Sequence, residues 1–333
     1  MRPTRSRLAL ACLAALSLAA ALPREEVVLE AGELRFRWAP DWLQVPGGGD
    51  LGNTHGCVAP LPGGDMLFNT DAEHAVVRVS PDGAWKAAFG EDLRGGLHGM
   101  TTNIEGDRVF LYLTHTGRHE MVKTTVDGAV EMRLGWPEAS GKYESADQYR
   151  PTAVAVAPDG RIFVADGYGR SWVHRYAADG TWLGCFGGQG TEPGQMRTPH
   201  GLVMDTRTQP ARLVVCDREN GRLQTFDLEG NLLGVHNGHL RRPCSAALRG
   251  DHLAIADLAG RVTLLDERFE LVGHLGDQPD PKLRAVNGVG KELWRDGEFL
   301  SPHGIGWGAD GSLYVLDWNR HGRVTRLEAL PGR

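Results

Sequence analysis

The 333-residue sequence has no basic surplus: 36 Lys and Arg stand against 42 Asp and Glu, for a formal net charge of −6 with neutral His. No Lys/Arg cluster interrupts that balance, which argues against a nucleic-acid partner, whose phosphates require a basic face. Cysteine is scarce, with five residues, and a chain of this length buries enough surface to fold without disulfide staples. Convincing helical periodicity is absent. Past the first 22 residues, no apolar run approaches the roughly 20 residues of a membrane-spanning helix. Gly (45) and Pro (18) fall short of the level that marks low-complexity disorder, and 41% apolar residues suffice for a real core.

The one long apolar stretch lies at the N-terminus. Arg2, Arg5 and Arg7 precede an Ala/Leu-rich run from Leu8 to Leu22, which ends near the small-residue triplet Ala19-Ala20-Ala21. A positive start, a short apolar run and a small-x-small site read as a secretory signal peptide over residues 1–21. Residues 22–333 would then form one exported domain, periplasmic or secreted, with no transmembrane span in the mature chain. Removing three arginines leaves that domain more acidic. Four cysteines remain in it, Cys57, Cys185, Cys216 and Cys244. Three pairings are open to them, and free thiols are the preferred reading.

The rest of the chain repeats. The segment Pro151-Thr-Ala-Val-Ala-Val156 is followed by Ile162-Phe-Val-Ala-Asp166 and Val173-His-Arg-Tyr176, and similar units begin at Pro199, Pro243 and Pro302. Looser copies start near His55 and His98. Short β-rich runs separated by Asp-Gly or Gly-Arg punctuation indicate strands joined by tight hairpins. Six units of about 50 residues, each a four-stranded antiparallel sheet, predict an all-β, six-bladed β-propeller. The last unit lacks a fourth strand. The alternating segment Glu33–Trp38 is spare, and pairing it with the last blade closes the ring and removes an exposed edge. Longer insertions near Glu138–Arg150 and Gly276–Phe299 are expected as loops on one face.

Aligned on the residue after the leading Pro, the six units place His55, His98, Thr152, His200, Cys244 and His303 at one position. The first strand of each blade lines the central channel, so these residues form a ring about the axis. Blades two, four and six carry His, and alternate blades lie about 120° apart in a six-bladed ring. Three converging imidazoles suit a zinc ion with an open fourth position. His55 is an additional channel residue at the same level, and Cys244 reads as a small filler. The competing explanation is a structural His-Gly turn at each strand start. The recurrent Asp166, Asp217, Asp257 and Asp317 close strands just before turns, where an Asp side chain caps backbone N–H groups.

These blades resemble NHL repeats. Within that group, residues from about Leu97 to Leu327 resemble the peptidyl-α-hydroxyglycine α-amidating lyases. The segments that carry the likeness are Leu97-His98-Gly99, Asp166-Gly-Tyr168, Pro193-Gly-Gln-Met196, Pro199-His-Gly-Leu202, Asp217-Arg-Glu-Asn-Gly-Arg-Leu-Gln224 and Pro302-His303. The resemblance implies a six-bladed propeller with zinc held by His98, His200 and His303. It also implies a catalytic Tyr168 and Arg218, acting on a peptide or small molecule ending in α-hydroxyglycine. A phenolate takes the substrate hydroxyl proton and a guanidinium grips the terminal carboxylate. The sequence departs from the family at Gly52, where an Arg is expected, at Ser301 for Met, and at Gly304 for an Asp that binds calcium. Gly169 and Thr225 stand where the family's disulfides need Cys. Calcium is therefore in doubt, and half of the carboxylate grip is missing. A non-catalytic propeller that binds a protein or glycan is the alternative. A lactonase is disfavoured, because no ring of Asp or Glu occupies the channel position.

Overall fold

The computed structural model describes residues 25–332. The expected signal peptide, with Cys12, lies outside them. Six antiparallel sheets follow one another along the chain, and among the described residues there is no α-helix, only short 3-10 turns. The innermost strands are Val58–Pro60, Leu97–Glu105, Ala153–Val156, Pro199–Asp205, Pro243–Arg249 and Pro302–Trp307, one per blade. The arrangement is a six-bladed β-propeller, as the repeat spacing predicts.

The ring closes through Leu34–Ala39, which pairs antiparallel with Arg323–Leu330. Phe36 and Trp38 point into the joint and are buried, and Trp38 packs on Phe299 with ring centroids 4.9 Å apart. One strand was not foreseen. Val28–Ala31 folds back on Leu34–Ala39, so the last sheet has five strands where four were expected. The strand is only four residues long; Ala31 is buried against the last blade's core and Leu29 packs beside it, while Glu30 is exposed.

The second strand of each blade is sandwiched between neighbouring sheets. Met66–Asn69, Ile162–Ala165 and Leu313–Asp317 are buried throughout, so both faces are apolar and the period-2 alternation disappears. Burying one such Val, Leu, Ile or Phe side chain contributes about 1.5–3 kcal/mol. The hydrophobic clusters accordingly form between blades, as where Phe110 and Tyr112 of blade two meet Val154, Ile162 and Val164 of blade three. The insertion at 138–150 is not a free loop: Tyr143 and Tyr149 sink into this same cluster.

The recurrent aspartates are structural and reach further than a turn cap. Asp217 accepts from the Arg197 N–H and the Arg222 side chain, and Asp257 from the Arg241 and Arg242 N–H groups and the Arg261 side chain. Asp317 accepts from the Leu300 and Ser301 N–H groups, with the Arg323 guanidinium at 3.6 Å. Each ties the end of the second strand to the loop entering its own blade. Blade three has Trp172 in place of the arginine, and Asp166 is met by the Arg150 and Arg170 N–H groups and the Tyr143 hydroxyl. Without a cationic partner, burial pushes this carboxyl up to about 6.

Candidate metal centre

The first strands deliver their channel residues through a shared irregularity. Strand pairing skips between Leu97 and Met100, Pro199 and Gly201, Pro243 and Ser245, and Pro302 and Gly304. His98, His200, Cys244 and His303 thus sit in β-bulges. A bulge bends its strand and re-aims the extra side chain, here toward the axis. Thr152 and His55 lie just before their strands instead, outside any bulge.

Each bulge histidine is fixed by the next blade. His98 Nδ1 lies 2.7 Å from Thr152 O, His200 Nδ1 2.9 Å from Cys244 O, and His303 Nδ1 3.1 Å from Gly56 O. A carbonyl only accepts, so Nδ1 carries the proton in all three rings and Nε2 keeps its lone pair. The glycine after each histidine makes the approach possible. A Cβ on Gly99 would meet Thr152 O at 2.5 Å, one on Gly304 would meet Gly56 O at 2.5 Å, and one on Gly201 would collide with Cys244 O. His-Gly is therefore a unit: the glycine admits the carbonyl that orients the histidine. The turn explanation and the metal explanation of this dipeptide describe the same geometry.

The ring centroids of His98, His200 and His303 lie 4.6–5.1 Å apart, and His55 lies 4.7 Å from His98 and 4.9 Å from His303. Two sets of ligand atoms fall within 4.8 Å of one another, His55/His98/His303 and His200/Cys244/His303. His303 belongs to both, and the expected trio spans them. His55 has no carbonyl anchor among its bonds, which sets it apart from the other three. Burial depresses all four imidazoles: His55 falls to about 4, and His98, His200 and His303 fall well below the ordinary range. They are neutral at pH 7, the form that binds metals.

Tyr168 enters this ring from the loop after Asp166. Its hydroxyl oxygen lies 3.0 Å from His200 Nε2, 3.2 Å from His98 Nε2 and 3.3 Å from His55 Nε2, and accepts from Arg218 Nη1 at 3.3 Å. One hydroxyl proton faces at least two lone pairs, those of His98 and His200 Nε2. His303 Nε2 is buried with no partner at all. Buried acceptors in such excess over donors need explaining, and a cation with affinity for imidazole nitrogen fits the donor set. Burial raises the Tyr168 phenol, and Arg218 pulls it back. Arg218 Nε also donates to Glu219 at 2.8 Å.

The structure thus brings Tyr168, Arg218 and all four channel histidines together. It adds Trp318, whose ring lies 5.9 Å from His55; its place directly after Asp317, matching Arg218 after Asp217, was a usable signal. Beyond the ring the channel continues as a cavity of about 310 Å3, walled by first strands of all six blades. The departures from the family pattern also have structural reasons. Gly52 has φ +88° and a Cβ there would meet the Ala72 Cβ at 2.9 Å, so this backbone does not accept an arginine. Gly304 has no room for the aspartate of a calcium site. The four described cysteines are free. No helix among the described residues is long and apolar enough to cross a membrane.

The NHL repeat family matches residues 149–176. A probable peptidyl-α-hydroxyglycine α-amidating lyase of Caenorhabditis elegans is 30% identical over 238 residues, covering 68% of this chain and 62% of that protein. Peptidyl-α-hydroxyglycine α-amidating lyase 1 of Drosophila melanogaster is 28% identical over 250 residues, covering 67% of this chain and 42% of that protein. The chain therefore spans less than two thirds of the length of these relatives. A streptogramin B lyase structure shares the fold, with a TM-score of 0.59 at 16% identity, covering 90% of this chain and all of that one. The chain is a six-bladed β-propeller with an NHL repeat at residues 149–176, and it is similar to the peptidyl-α-hydroxyglycine α-amidating lyases.

Proposed function

We propose that the chain is an exported, zinc-dependent carbon–nitrogen lyase that cleaves a substrate ending in α-hydroxyglycine to an amide and glyoxylate. The observation that carries this reading is the ring of carbonyl-anchored His98, His200 and His303, with the Nε2 lone pairs of His98 and His200 on the Tyr168 hydroxyl and that of His303 buried without a partner. The names of the relatives supply the reaction class.

His98, His200 and His303 would hold the zinc. When bound, it supplies a Lewis acid that polarises the substrate hydroxyl. Arg218 binds the substrate carboxylate and leaves its Nη1 donor on the Tyr168 oxygen, which favours the phenolate. The phenolate takes the hydroxyl proton, the carbon–oxygen double bond of glyoxylate forms, and the carbon–nitrogen bond breaks with its electron pair going to nitrogen. The proton held on Tyr168 then passes to that nitrogen, giving the amide and restoring the enzyme. Trp318 beside His55 walls the same space. With Gly52 in place of a second arginine, the carboxylate grip rests on Arg218.

Residues 1–21 support export. N-terminal sequencing of the secreted or periplasmic protein should begin at Leu22. The test of activity is glyoxylate release from a peptide ending in α-hydroxyglycine, with zinc measured on the same sample. About one zinc per chain, lost in His200→Ala, and glyoxylate formation support the reading. Zinc-loaded protein that releases no glyoxylate refutes this substrate class. Metal-free protein supports a non-catalytic propeller that binds a protein or glycan, the reading that Gly52 and Gly304 favour.

A further inference from the structure

The insertion at 138–150 sends Tyr143 into the core of blade three, where its hydroxyl lies 2.8 Å from Asp166 Oδ2 and 2.7 Å from His174 Nε2. The indole Nε1–H of Trp182 faces His174 Nδ1 at 3.3 Å. An indole N–H only donates, so Nδ1 accepts and the proton of the neutral imidazole sits on Nε2. His174 gives that proton to the Tyr143 oxygen, and Tyr143 gives its own to Asp166. The three hydrogen bonds run in one direction and end on a carboxylate. All three of Tyr143, Asp166 and His174 are buried.

What Asp166 holds is the segment that carries Tyr168. Its two oxygens accept from the N–H groups of Arg150 at 2.7 Å and Arg170 at 2.6 Å. Arg150 O in turn accepts from the Tyr168 N–H at 3.2 Å, and Asp166 O from the Ser171 N–H at 3.0 Å. A Cβ on Gly169 would stand 2.1 Å from Asp166 Oδ1, so the loop lies directly on the carboxylate. In blades four, five and six an arginine meets the equivalent aspartate. Of these four blades, the one that delivers Tyr168 uses a neutral chain of donors instead.

We infer that Tyr143, backed by His174 and Trp182, is a positioning residue for Tyr168 and acts through the Asp166 carboxylate. The role of the phenol rests on the lyase reading given above. A neutral donor holds the carboxylate without the charge of an arginine, so the loop keeps its anchor only while Asp166 is ionised. Protonation turns one of two accepting oxygens into a donor that faces an N–H group. Burial raises this carboxyl to about 6, against the pull of the Arg170, Arg150 and Tyr143 donors. The titratable groups packed around it lie outside that range. Burial, helped by Lys142, holds His174 at about 3, and it raises the phenols of Tyr143, Tyr149 and Tyr176 and the Cys185 thiol.

The experiment follows glyoxylate release against pH for the zinc-loaded wild type, Tyr143→Phe, Tyr143→Phe/Trp172→Arg and Tyr176→Phe, with zinc content and Tm read on each. Tyr143→Phe should lower kcat at pH 7 about fivefold, the worth of one neutral hydrogen bond, with KM and zinc unchanged. Its acid midpoint should rise from the wild type's by roughly one pH unit. The double variant installs the guanidinium of the other blades, so it should restore kcat and carry the midpoint roughly 1–3 pH units below that of Tyr143→Phe. Tyr176→Phe removes a hydroxyl of the same core that makes no hydrogen bond to Asp166, and it should match the wild type. The same midpoints are read without turnover from the Tyr168 ring signal of carbon-13 tyrosine-labelled protein, identified by its loss in Tyr168→Phe. A wild type that releases no glyoxylate refutes the lyase reading and leaves the ring signal to decide the positioning. An unmoved midpoint in Tyr143→Phe, or an equal shift in Tyr176→Phe, overturns the inference. A folded double variant whose midpoint stays with that of Tyr143→Phe does the same.

Discussion

Replacing Gly304 with alanine adds one methyl group where two blades are in closest contact. That methyl would stand 2.5 Å from Gly56 O, 2.9 Å from Cys57 Cα and 3.1 Å from the Cys57 carbonyl carbon. Ordinary van der Waals contact begins near 3.4 Å, so the oxygen must retreat by roughly 0.9 Å in a close-packed interior that yields little. The backbone at Gly304 is not in the left-handed region, so the cost is one of space alone. Overpacking of this kind costs about 1–3 kcal/mol. At roughly 2–4 °C per kcal/mol, Tm should fall by several degrees. The same movement draws Gly56 O away from His303 Nδ1, now 3.1 Å distant. Loss of such an orienting partner typically weakens metal affinity about 10–100-fold. Zinc affinity by competition with a chromophoric chelator, and Tm by calorimetry, would both be read. Gly135→Ala is the control: its Cβ has open space, and the change should stay within about 0.5 kcal/mol. If Gly304→Ala matches the wild type in both zinc affinity and Tm, then the glycine does not serve the histidine and the coupling argued between them is wrong.

In Tyr168→Phe, turnover should drop at least about a hundredfold with zinc content unchanged, because a general base contributes roughly 10²–10⁴-fold; an unaltered rate removes the phenol from the mechanism. Stability of the metal-free protein should fall as pH drops from about 6.5 toward 4. His55 and His115 fall to about 4 and His174 to about 3, through burial first, so the folded state keeps neutral imidazoles that the unfolded chain protonates. Asp166, pushed up to about 6, opposes this trend, as do Asp71 and Asp317, whose carboxyls burial also raises. A Tm that rises on acidification over that window would contradict the burial of these rings. Phe36→Ala should cost about 3–5 kcal/mol in urea denaturation, since this fully buried ring sits in the closing strand beside Trp307; a loss under 1 kcal/mol would mean that the closure is not stabilising.

The blade count, the closing strand and the channel position could be read from the sequence because repetition multiplies a weak signal. A single Pro-His or Ile-Phe-Val-Ala-Asp means little, but its recurrence fixes both the architecture and the register. Tyr168 and Arg218 carry no such repetition, and only the family resemblance singled them out. What remained hidden was backbone geometry. The carbonyls of Thr152, Cys244 and Gly56 orient the imidazoles, and a carbonyl is the same in every residue. The bulges that carry His98, His200, Cys244 and His303 were equally silent. Val28–Ala31 was missed because four residues are too short for an alternation to show, although Leu29 and Ala31 do pack on the core.

The joint between Leu34–Ala39 and Arg323–Leu330 gives the molecule a seam. Strands that are neighbours in every other blade are close in sequence, and these two are separated by nearly the whole chain. Their pairing carries by far the largest loop-closure entropy in the fold, so it should form late and set the folding rate. Moving the ends of the chain by circular permutation to the hairpin between Val76–Val79 and Trp85–Phe89 would make the present seam a local contact and turn an ordinary hairpin into the late-forming one. The stack of inner strands would be unchanged, while the order in which the ring is assembled would be rewritten.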